Sequence, residues 1–416
     1  MKFIVIGITD NSKPFFPPDV LELIKRGKVF SGGRRHHEIV ASLLPEGAQW
    51  IDITVPLDAV FQQYHDEVIV FASGDPLFFG FANTIKRKMP EAEIMLYPTF
   101  NSLQMLAHRL TLPYHDMRIV SLTGRPWPEF DKALIEGAGK IGILTDKEHT
   151  PATIARRMLD YGYTNYQMHV GEHLGNPTHE KVTTLTLEEA AKSEFSMPNC
   201  VILEGKAPGH PFGIPDTEFT LLDGREKMIT KMPIRLLTLQ ALDLPKKHVL
   251  WDIGFCTGSV SIEARLQFPH LHVCSFEIRP ECENIIRENA RRFGAPGISV
   301  HIGDFLETDI TTLPNPDAVF IGGHGGKLKD IITKVLAVLA DDGIIVMNSV
   351  KAPKVLTDSH QLWDEACQDL GLQQEPPMRI VIDEHHPIEI LKAHKPKSVI
   401  RKDYFQIVTV NMEFSS

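Results

Sequence analysis

The sequence lacks the patterns that mark membrane, secreted and zinc-binding proteins. No uninterrupted apolar stretch approaches the roughly 20 residues that cross a bilayer. The first residues, MKFIVIGITDN, contain too short an apolar run for a secretory signal. The five cysteines form no CxxC pair, and their odd number indicates reduced thiols. We therefore expect a soluble, cytoplasmic protein that does not contact a membrane.

Long runs of basic residues are also absent. The 416 residues include 43 basic and 53 acidic ones, which gives a formal net charge of −10. This balance does not favour contact with the phosphates of nucleic acid, so we expect no nucleic-acid partner. A chain of this length exceeds what one hydrophobic core supports, which predicts two domains.

Strand-like and helix-like segments alternate along the sequence. In the first half, apolar runs such as KFIVIGI (2–8), VIVFAS (68–73) and RIVS (118–121) predict buried strands. In NSLQMLAHRL, Asn101 or Ser102 is placed to cap a helix. The alternation predicts an α/β fold with mainly parallel strand pairing.

A boundary is predicted in EGKAPGHPFGIPDTEF (204–219), where three prolines and three glycines argue against a continuing element. We therefore predict domains at 1–211 and 212–416. The second half predicts parallel strands beginning with 248–253, 272–277 and 298–304. The late segments 378–384 and 404–414 predict an antiparallel pair at the edge of this sheet.

Acidic residues end three successive predicted strands of the second half. Ligands of an open parallel sheet bind beyond the carboxyl ends of its strands. A dinucleotide site has G-x-G-x-x-G at that place, whereas here an acid precedes the glycines. The acids disfavour phosphate and suit a nucleoside cation, although an ordinary glycine-bearing turn is the alternative. The candidate residues are Asp252, Gly254, Thr257, Gly258, Glu277 and Asp304.

These elements resemble the S-adenosylmethionine-dependent Rossmann-like methyltransferases. MITKMPIRLLTLQALDL (228–244) and DAVFIGGHGGKLKDII (317–332) are similar to the decarboxylating precorrin methyltransferases of cobalamin biosynthesis. The resemblance implies that the six residues above, with Gly322, bind S-adenosylmethionine. That family usually has three glycines in the loop, and Cys256 takes the middle place here.

The first half resembles a different family of methyltransferases. SGDPLFFG (73–80), with SGGRRHH (31–37) and YPTFNSLQMLAHRL (97–110), is similar to the tetrapyrrole (corrin/porphyrin) methylases. This implies two α/β lobes with S-adenosylmethionine between them. The resemblance assigns the cofactor to Gly74, Asp75, Pro76, Phe78, Asn101 and Ser102. The loop GITDNS (7–12) departs from the family's G-x-G-P-G.

Together the halves resemble the bifunctional, decarboxylating precorrin-6Y C5,15-methyltransferases. The resemblance implies a corrinoid substrate, two donor sites per chain, C5 methylation by 1–211, and C15 methylation with decarboxylation by 212–416. It also implies a homo-oligomer. We expect no nucleophilic side chain and no metal site. Positive residues expected to bind the carboxylates of the substrate are Arg34, Arg35, Lys231 and Arg235, with His324 as a further candidate.

Two other interpretations remain open from the sequence. The chain could methylate RNA or protein, with its first half as a recognition domain. It could also be a non-catalytic carrier of tetrapyrroles.

Overall fold

A computed structural model of the chain describes residues 1–207, 209–225, 228–350, 359–381 and 387–395. The chain divides into two compact units. The first comprises residues 1–133, 137–159 and 164–207. The second comprises the other described residues, from 209 onward together with 134–136 and 160–163. No helix in the described ranges is long and apolar enough to cross a membrane.

The first sheet of the first unit is parallel throughout, in the strand order β3-β2-β4-β1-β5. Its strands are Lys2–Ile8 (β1), Val29–Gly32 (β2), Gln49–Asp52 (β3), Glu67–Ser73 (β4) and Glu93–Tyr97 (β5). The accompanying helices are Pro18–Arg26 (α1), Arg34–Val40 (α2), Leu57–Phe61 (α3), Phe81–Lys88 (α4) and Ser102–Leu110 (α5). In β1, Phe3 and Val5 enter one core while Ile4 and Ile6 enter another. Since both faces are buried, the strand is a continuous apolar run.

The second sheet of this unit is mixed, in the order β6-β7-β10-β8-β9. Its strands are Arg118–Ser121 (β6), Lys140–Leu144 (β7), Tyr166–Glu172 (β8), Lys181–Thr186 (β9) and Asn199–Gly205 (β10), with helices Pro128–Ile135 (α6), Pro151–Asp160 (α7) and Leu187–Ala190 (α8). Only β6 and β7 pair in parallel. The prediction of mainly parallel pairing is therefore wrong for this sheet, because β8 and β9 are joined by a short loop that permits only an antiparallel hairpin.

The second unit contains one larger sheet, in the order β13-β12-β11-β14-β15-β18-β16, with β17 also paired to β18. Its strands are Val249–Ile253 (β11), His272–Glu277 (β12), Ile298–Ile302 (β13), Ala318–Ile321 (β14), Ile344–Val350 (β15), Gln373–Gln374 (β16), Met378–Val381 (β17) and Pro387–His394 (β18). Its helices are Met232–Ala241 (α9), Ser259–Gln267 (α10), Glu281–Phe293 (α11), Leu328–Leu336 (α12) and Ser359–Asp369 (α13).

The first five strands of that sheet are parallel, and β18 closes it antiparallel to β15. The predicted antiparallel edge is thus present, but the partner of β17 is β18, which the sequence reading did not identify. The predicted strand 404–414 lies outside the described residues.

Candidate active sites

A cleft of about 540 Å³ opens at the carboxyl edge of the second unit's sheet. There β11 lies between β12 and β14, so the loops after these strands diverge to opposite sides and leave a crevice. Seven residues predicted from the sequence line this cleft: Lys231, Asp252, Gly254, Glu277, Asp304, Gly322 and His324. Thr257 and Gly258 are not among the lining residues.

The loop after β11 requires left-handed backbone at three positions. Gly254 has φ +81°, and a Cβ there would lie 2.7 Å from the backbone nitrogen of Gly323. Gly258 has φ +75°, and a Cβ there would lie 2.3 Å from Cγ1 of Ile286. Gly258 therefore serves the packing of α10 on α11 and not the cleft wall. Cys256 keeps the left-handed conformation, with φ +49°, although it is not a glycine.

Asp252 is the buried acid of the cleft, with 1% of its surface exposed. Its Oδ2 accepts hydrogen bonds from the backbone N–H and the hydroxyl of Ser261, while no described residue bonds Oδ1. Burial raises the pKa of Asp252 to about 7, against the hydrogen bonds from Ser261 and with a smaller contribution from the charge of Glu277. The carboxyl group therefore lacks a compensating cation.

Glu277 and Asp304 end the next two strands. The Glu277 carboxylate accepts hydrogen bonds from the backbone N–H groups of Cys256 at 3.1 Å and Ile278 at 2.9 Å, and from the Arg279 guanidinium at 2.9 Å. Asp304 accepts from Lys327 Nζ at 2.9 Å, and this hydrogen bond lowers the pKa of the carboxyl group. Neither Arg279 nor Lys327 was predicted from the sequence. The only signal was their position: Arg279 lies two residues after β12, and Lys327 lies between the glycine-rich loop after β14 and α12.

The positive candidates of the second unit have different surroundings. Lys231 is half exposed and lies 3.6 Å from Asp216. Arg235 is fully buried, 3.2 Å from Glu263 and 3.3 Å from Asp216, so a substrate cannot reach it. The expectation that Arg235 binds substrate is corrected on this ground, because its guanidinium balances the charges of buried Glu263 and partly exposed Asp216.

His324 lies on the glycine-rich loop that borders the cleft. Its Nδ1 accepts a hydrogen bond from the backbone N–H of Gly326 at 3.2 Å, so Nε2 carries the proton of the neutral ring. Burial lowers the pKa of His324 and favours this neutral form. The side chain is therefore a hydrogen-bond donor at the mouth of the cleft.

In the first unit, the turn after β4 meets the ends of β1 and β5. The Gly74 N–H donates to the carbonyl oxygen of Ile8 at 2.8 Å, and the Gly74 carbonyl oxygen accepts the N–H of Thr99 at 3.3 Å. Its φ is +60°, and a Cβ would lie 2.8 Å from Cα of Asn101. Asp75 Oδ1 accepts the Leu77 N–H at 2.9 Å, which stabilises the turn.

The other predicted cofactor residues of this unit surround the same turn. Pro76 is buried, and Phe78 is half-buried against the core under α5. Asn101 is the N-cap of α5: its Oδ1 accepts the Gln104 N–H at 2.9 Å, and Gln104 accepts the Asn101 N–H at 3.0 Å. Ser102 is the first residue of this helix.

The two arginines of α2 differ in their contacts. The Arg34 side chain is 92% exposed and pairs with Glu38 at 3.3 Å. Arg35 lies 3.2 Å from Asp10 and donates to Ser73 Oγ at 3.0 Å. The neighbouring His36 also bonds Ser73, at 2.9 Å, whereas His37 stacks on Trp50.

The adjacent histidines of α2 thus point in different directions. Among the described residues, no group of three or more His, Cys, Asp or Glu side chains could hold a metal ion. The second histidine pair of the sequence, in DEHHP (383–387), lies outside the described residues apart from Pro387.

Comparison with known proteins gives a match for each half. Residues 3–191 match the family described as Tetrapyrrole (Corrin/Porphyrin) Methylases, and residues 223–400 match the Precorrin methyltransferase domain. A protein of Sinorhizobium sp. named precorrin-6Y C(5,15)-methyltransferase (decarboxylating) is 33% identical over 368 residues, which are 86% of this chain and 87% of that protein. This chain belongs to the precorrin-6Y C(5,15)-methyltransferase (decarboxylating) family.

Two relatives from Salmonella typhimurium each match one part of this chain. One, named cobalt-precorrin-7 C(5)-methyltransferase, is 26% identical over 204 residues, 48% of this chain and 98% of its own length. The other, named cobalt-precorrin-6B C(15)-methyltransferase (decarboxylating), is 39% identical over 129 residues, 31% of this chain and 66% of its own length. The family consists of S-adenosylmethionine-dependent methyltransferases, with a tetrapyrrole methylase fold followed by a sheet domain with an antiparallel edge.

Proposed function

We propose that this chain methylates C5 and C15 of a precorrin ring in cobalamin biosynthesis and removes CO2 from one acetate side chain. The observation that carries the proposal is a relative named for the whole reaction and aligned over 86% of the chain. Two shorter relatives are named separately for C5 and for C15 with decarboxylation. We assign C5 to residues 1–211 and C15 with decarboxylation to 212–416.

The second-unit cleft fits a cationic nucleoside donor. S-adenosylmethionine supplies a methyl group from its sulfonium and carries no phosphate. The unbonded Oδ1 of buried Asp252 is an available acceptor, and Gly254 lines the same cleft with main chain alone. We propose that Asp252, Gly254 and Gly322 face the methionine part, Glu277 the ribose hydroxyls and Asp304 the adenine.

In the first unit we propose a second donor site around the Gly74 turn. The absence of a Cβ at Gly74 lets the main chain of this turn lie directly against the main chain at Asn101. Such main-chain groups can bind the amino acid and base of the same donor. The proposed contacts are Gly74, Asp75, Pro76 and Phe78, with Asn101 and Ser102 from the neighbouring turn.

The reaction requires positioning more than a protein nucleophile. A reduced tetrapyrrole is electron-rich, so its meso carbons attack a methyl group once they are held in line at about 3–3.5 Å. Decarboxylation needs an electron sink, which the conjugated ring provides. Lys231 and His324 in the second unit, and Arg34 and Arg35 in the first, are proposed to bind substrate carboxylates.

The remaining expectations stay part of the proposal. The acidic net charge of −10 supports a small-molecule substrate and not a nucleic acid. All five cysteines are free and buried, which supports a reducing compartment such as the cytoplasm. A homo-oligomer remains a prediction from the family resemblance.

The test begins with the number of donor sites. Calorimetric titration with S-adenosylhomocysteine should give two sites per chain. Gly74→Ala and Gly254→Ala each place a methyl group within 2.8 Å of the neighbouring backbone and should each remove one site.

Gly47→Ala and Gly371→Ala are matched controls for those two variants. Both positions have positive φ, +78° and +66°, but no atom within 4 Å of the added Cβ, so both variants should keep two sites. Incubation with a precorrin and labelled donor, followed by mass spectrometry, should then show a gain of two methyl groups and the loss of one CO2. A chain that binds no donor, or transfers no methyl group to any precorrin, would contradict the proposal.

A further inference from the structure

Three loops of the first unit meet beside the Gly74 turn. The first follows β1 and contains Asp10, the second follows Ser73 at the end of β4, and the third follows β8 and contains His173. A Cβ at Gly175 would lie 3.1 Å from Thr9, so the first and third loops are in close contact. Charged side chains from these loops are therefore concentrated at one edge of the proposed donor site.

Within this group, a histidine and an aspartate form a pair with a defined tautomer. His173 Nδ1 lies 3.3 Å from Asp10 Oδ2, while Arg35 Nη1 lies 3.2 Å from Asp10 Oδ1. Because the carboxylate can only accept, Nδ1 carries the proton and Nε2 carries a lone pair. No residue in the described part of the chain bonds Nε2, and a quarter of the His173 side chain is exposed.

The backbone of His173 is held in an unfavourable conformation. Its φ is +47°, although it is not a glycine, and its N–H donates to Pro198 O at 2.9 Å. Left-handed backbone at such residues is uncommon and concentrates at functional sites. Here the imidazole contacts Asp10, and Arg35 links Asp10 to Ser73, the residue that precedes the Gly74 turn.

The neighbouring His36 does not share this role. Its Nε2 bonds Ser73 Oγ at 2.9 Å, and burial with the charge of Arg35 lowers its pKa to about 4. Arg35 is in turn fixed by Ser73, so it holds Asp10 from the side opposite His173. Of the two imidazoles joined to the Arg35, Asp10 and Ser73 side chains, His173 is the one whose second ring nitrogen has no bonding partner among the described residues.

We propose that His173 is the general base of the methylation in the first unit; this rests on the proposed function. When the ring carbon forms its bond to the methyl group, the methyl–sulfur bond breaks and its electron pair stays on sulfur. The ring carbon then carries both a hydrogen and a methyl group. His173 Nε2 takes that hydrogen as a proton, and the C–H electron pair returns to the ring and restores conjugation. Asp10 stabilises the resulting imidazolium.

The principal variant is His173→Asn. Asparagine tolerates the left-handed backbone and can donate to Asp10, but it has no group equivalent to Nε2. With donor carrying a labelled methyl group, we expect the rate of C5 methylation to fall by about 10²–10⁴-fold, while calorimetry still shows two donor sites. His179→Ala is the control, since its ring lies 6.0 Å from that of His173 on the same loop, and it should retain the wild-type rate.

A second variant separates a base from a merely structural residue. In His173→Ala, imidazole added to the buffer should restore part of the C5 rate, because the free ring can occupy the vacated volume. C5 methylation at the wild-type rate in His173→Asn, or no response of His173→Ala to imidazole, would overturn the inference. Absence of methyl transfer in the wild-type chain would instead overturn the proposed function.

Discussion

Asp252→Asn should stabilise the second unit at neutral and alkaline pH. The folded state raises the pKa of this carboxyl group from 3.8 to about 7, chiefly by burial. Between pH 4 and 7 the unfolded chain has lost a proton that the folded chain retains, so the free energy of unfolding falls as pH rises. Above pH 7 both states are ionised, and the full difference corresponds to about 4 kcal/mol of lost stability.

Asparagine keeps an acceptor for the N–H and hydroxyl of Ser261 but cannot ionise. The stability of the variant relative to the wild type should therefore increase by about 2 kcal/mol between pH 5.5 and pH 8, since about 1.4 kcal/mol is lost per pH unit up to pH 7. Hydrogen exchange of the β11 amides in increasing urea, read by mass spectrometry, measures this quantity locally.

Asp341→Asn is the control, because Asp341 is fully exposed and the same chemical change there should have no such pH dependence. An Asp252→Asn variant whose stability difference from the wild type is equal at pH 5.5 and pH 8 would refute the reasoning. It would mean that the carboxyl group of Asp252 ionises as readily in the folded chain as in the unfolded one.

Ionisation of Asp252 also predicts that S-adenosylmethionine binds the second unit about tenfold more tightly at pH 8 than at pH 6, because a cation favours the charged carboxylate. Calorimetry on Gly74→Ala, in which only the second-unit site should remain, would measure this affinity. An equal affinity at the two pH values would count against the prediction. Glu263→Gln should lower the free energy of unfolding by up to about 3–5 kcal/mol, since it removes the fully buried carboxylate beside Arg235 and leaves that guanidinium only the partly exposed Asp216. Glu283→Gln is the comparison, since Glu283 forms an exposed ion pair with Arg287, and it should lower the free energy of unfolding by at most about 0.5 kcal/mol. Urea denaturation measures both values, and equal losses in the two variants would contradict the prediction.

Local sequence patterns were sufficient to predict strands that are continuous apolar runs and a helix that begins with a capping residue. The predicted strands at the start of each unit are confirmed as β1 and β11, because each is an apolar run with both faces buried. Asn101 is confirmed as the N-cap of α5, since its side chain and that of Gln104 bond each other's backbone. The strands β8, β9 and β18 were missed, because polar residues interrupt the apolar pattern in each of them.

The sequence alone determined the two α/β halves, the acids and glycines at strand ends, and the family resemblance, because these depend on residue type and spacing. Only the tertiary structure decided which of those residues reach a cleft. Lys231, the residue just before α9, lies four positions from Arg235 within that helix, yet Arg235 is buried against Glu263 and Lys231 lines the cleft. His173 and Asp10 lie 163 positions apart and meet only because two loops pack together. Burial and long-range contact follow from how distant elements pack, which spacing along the chain does not specify.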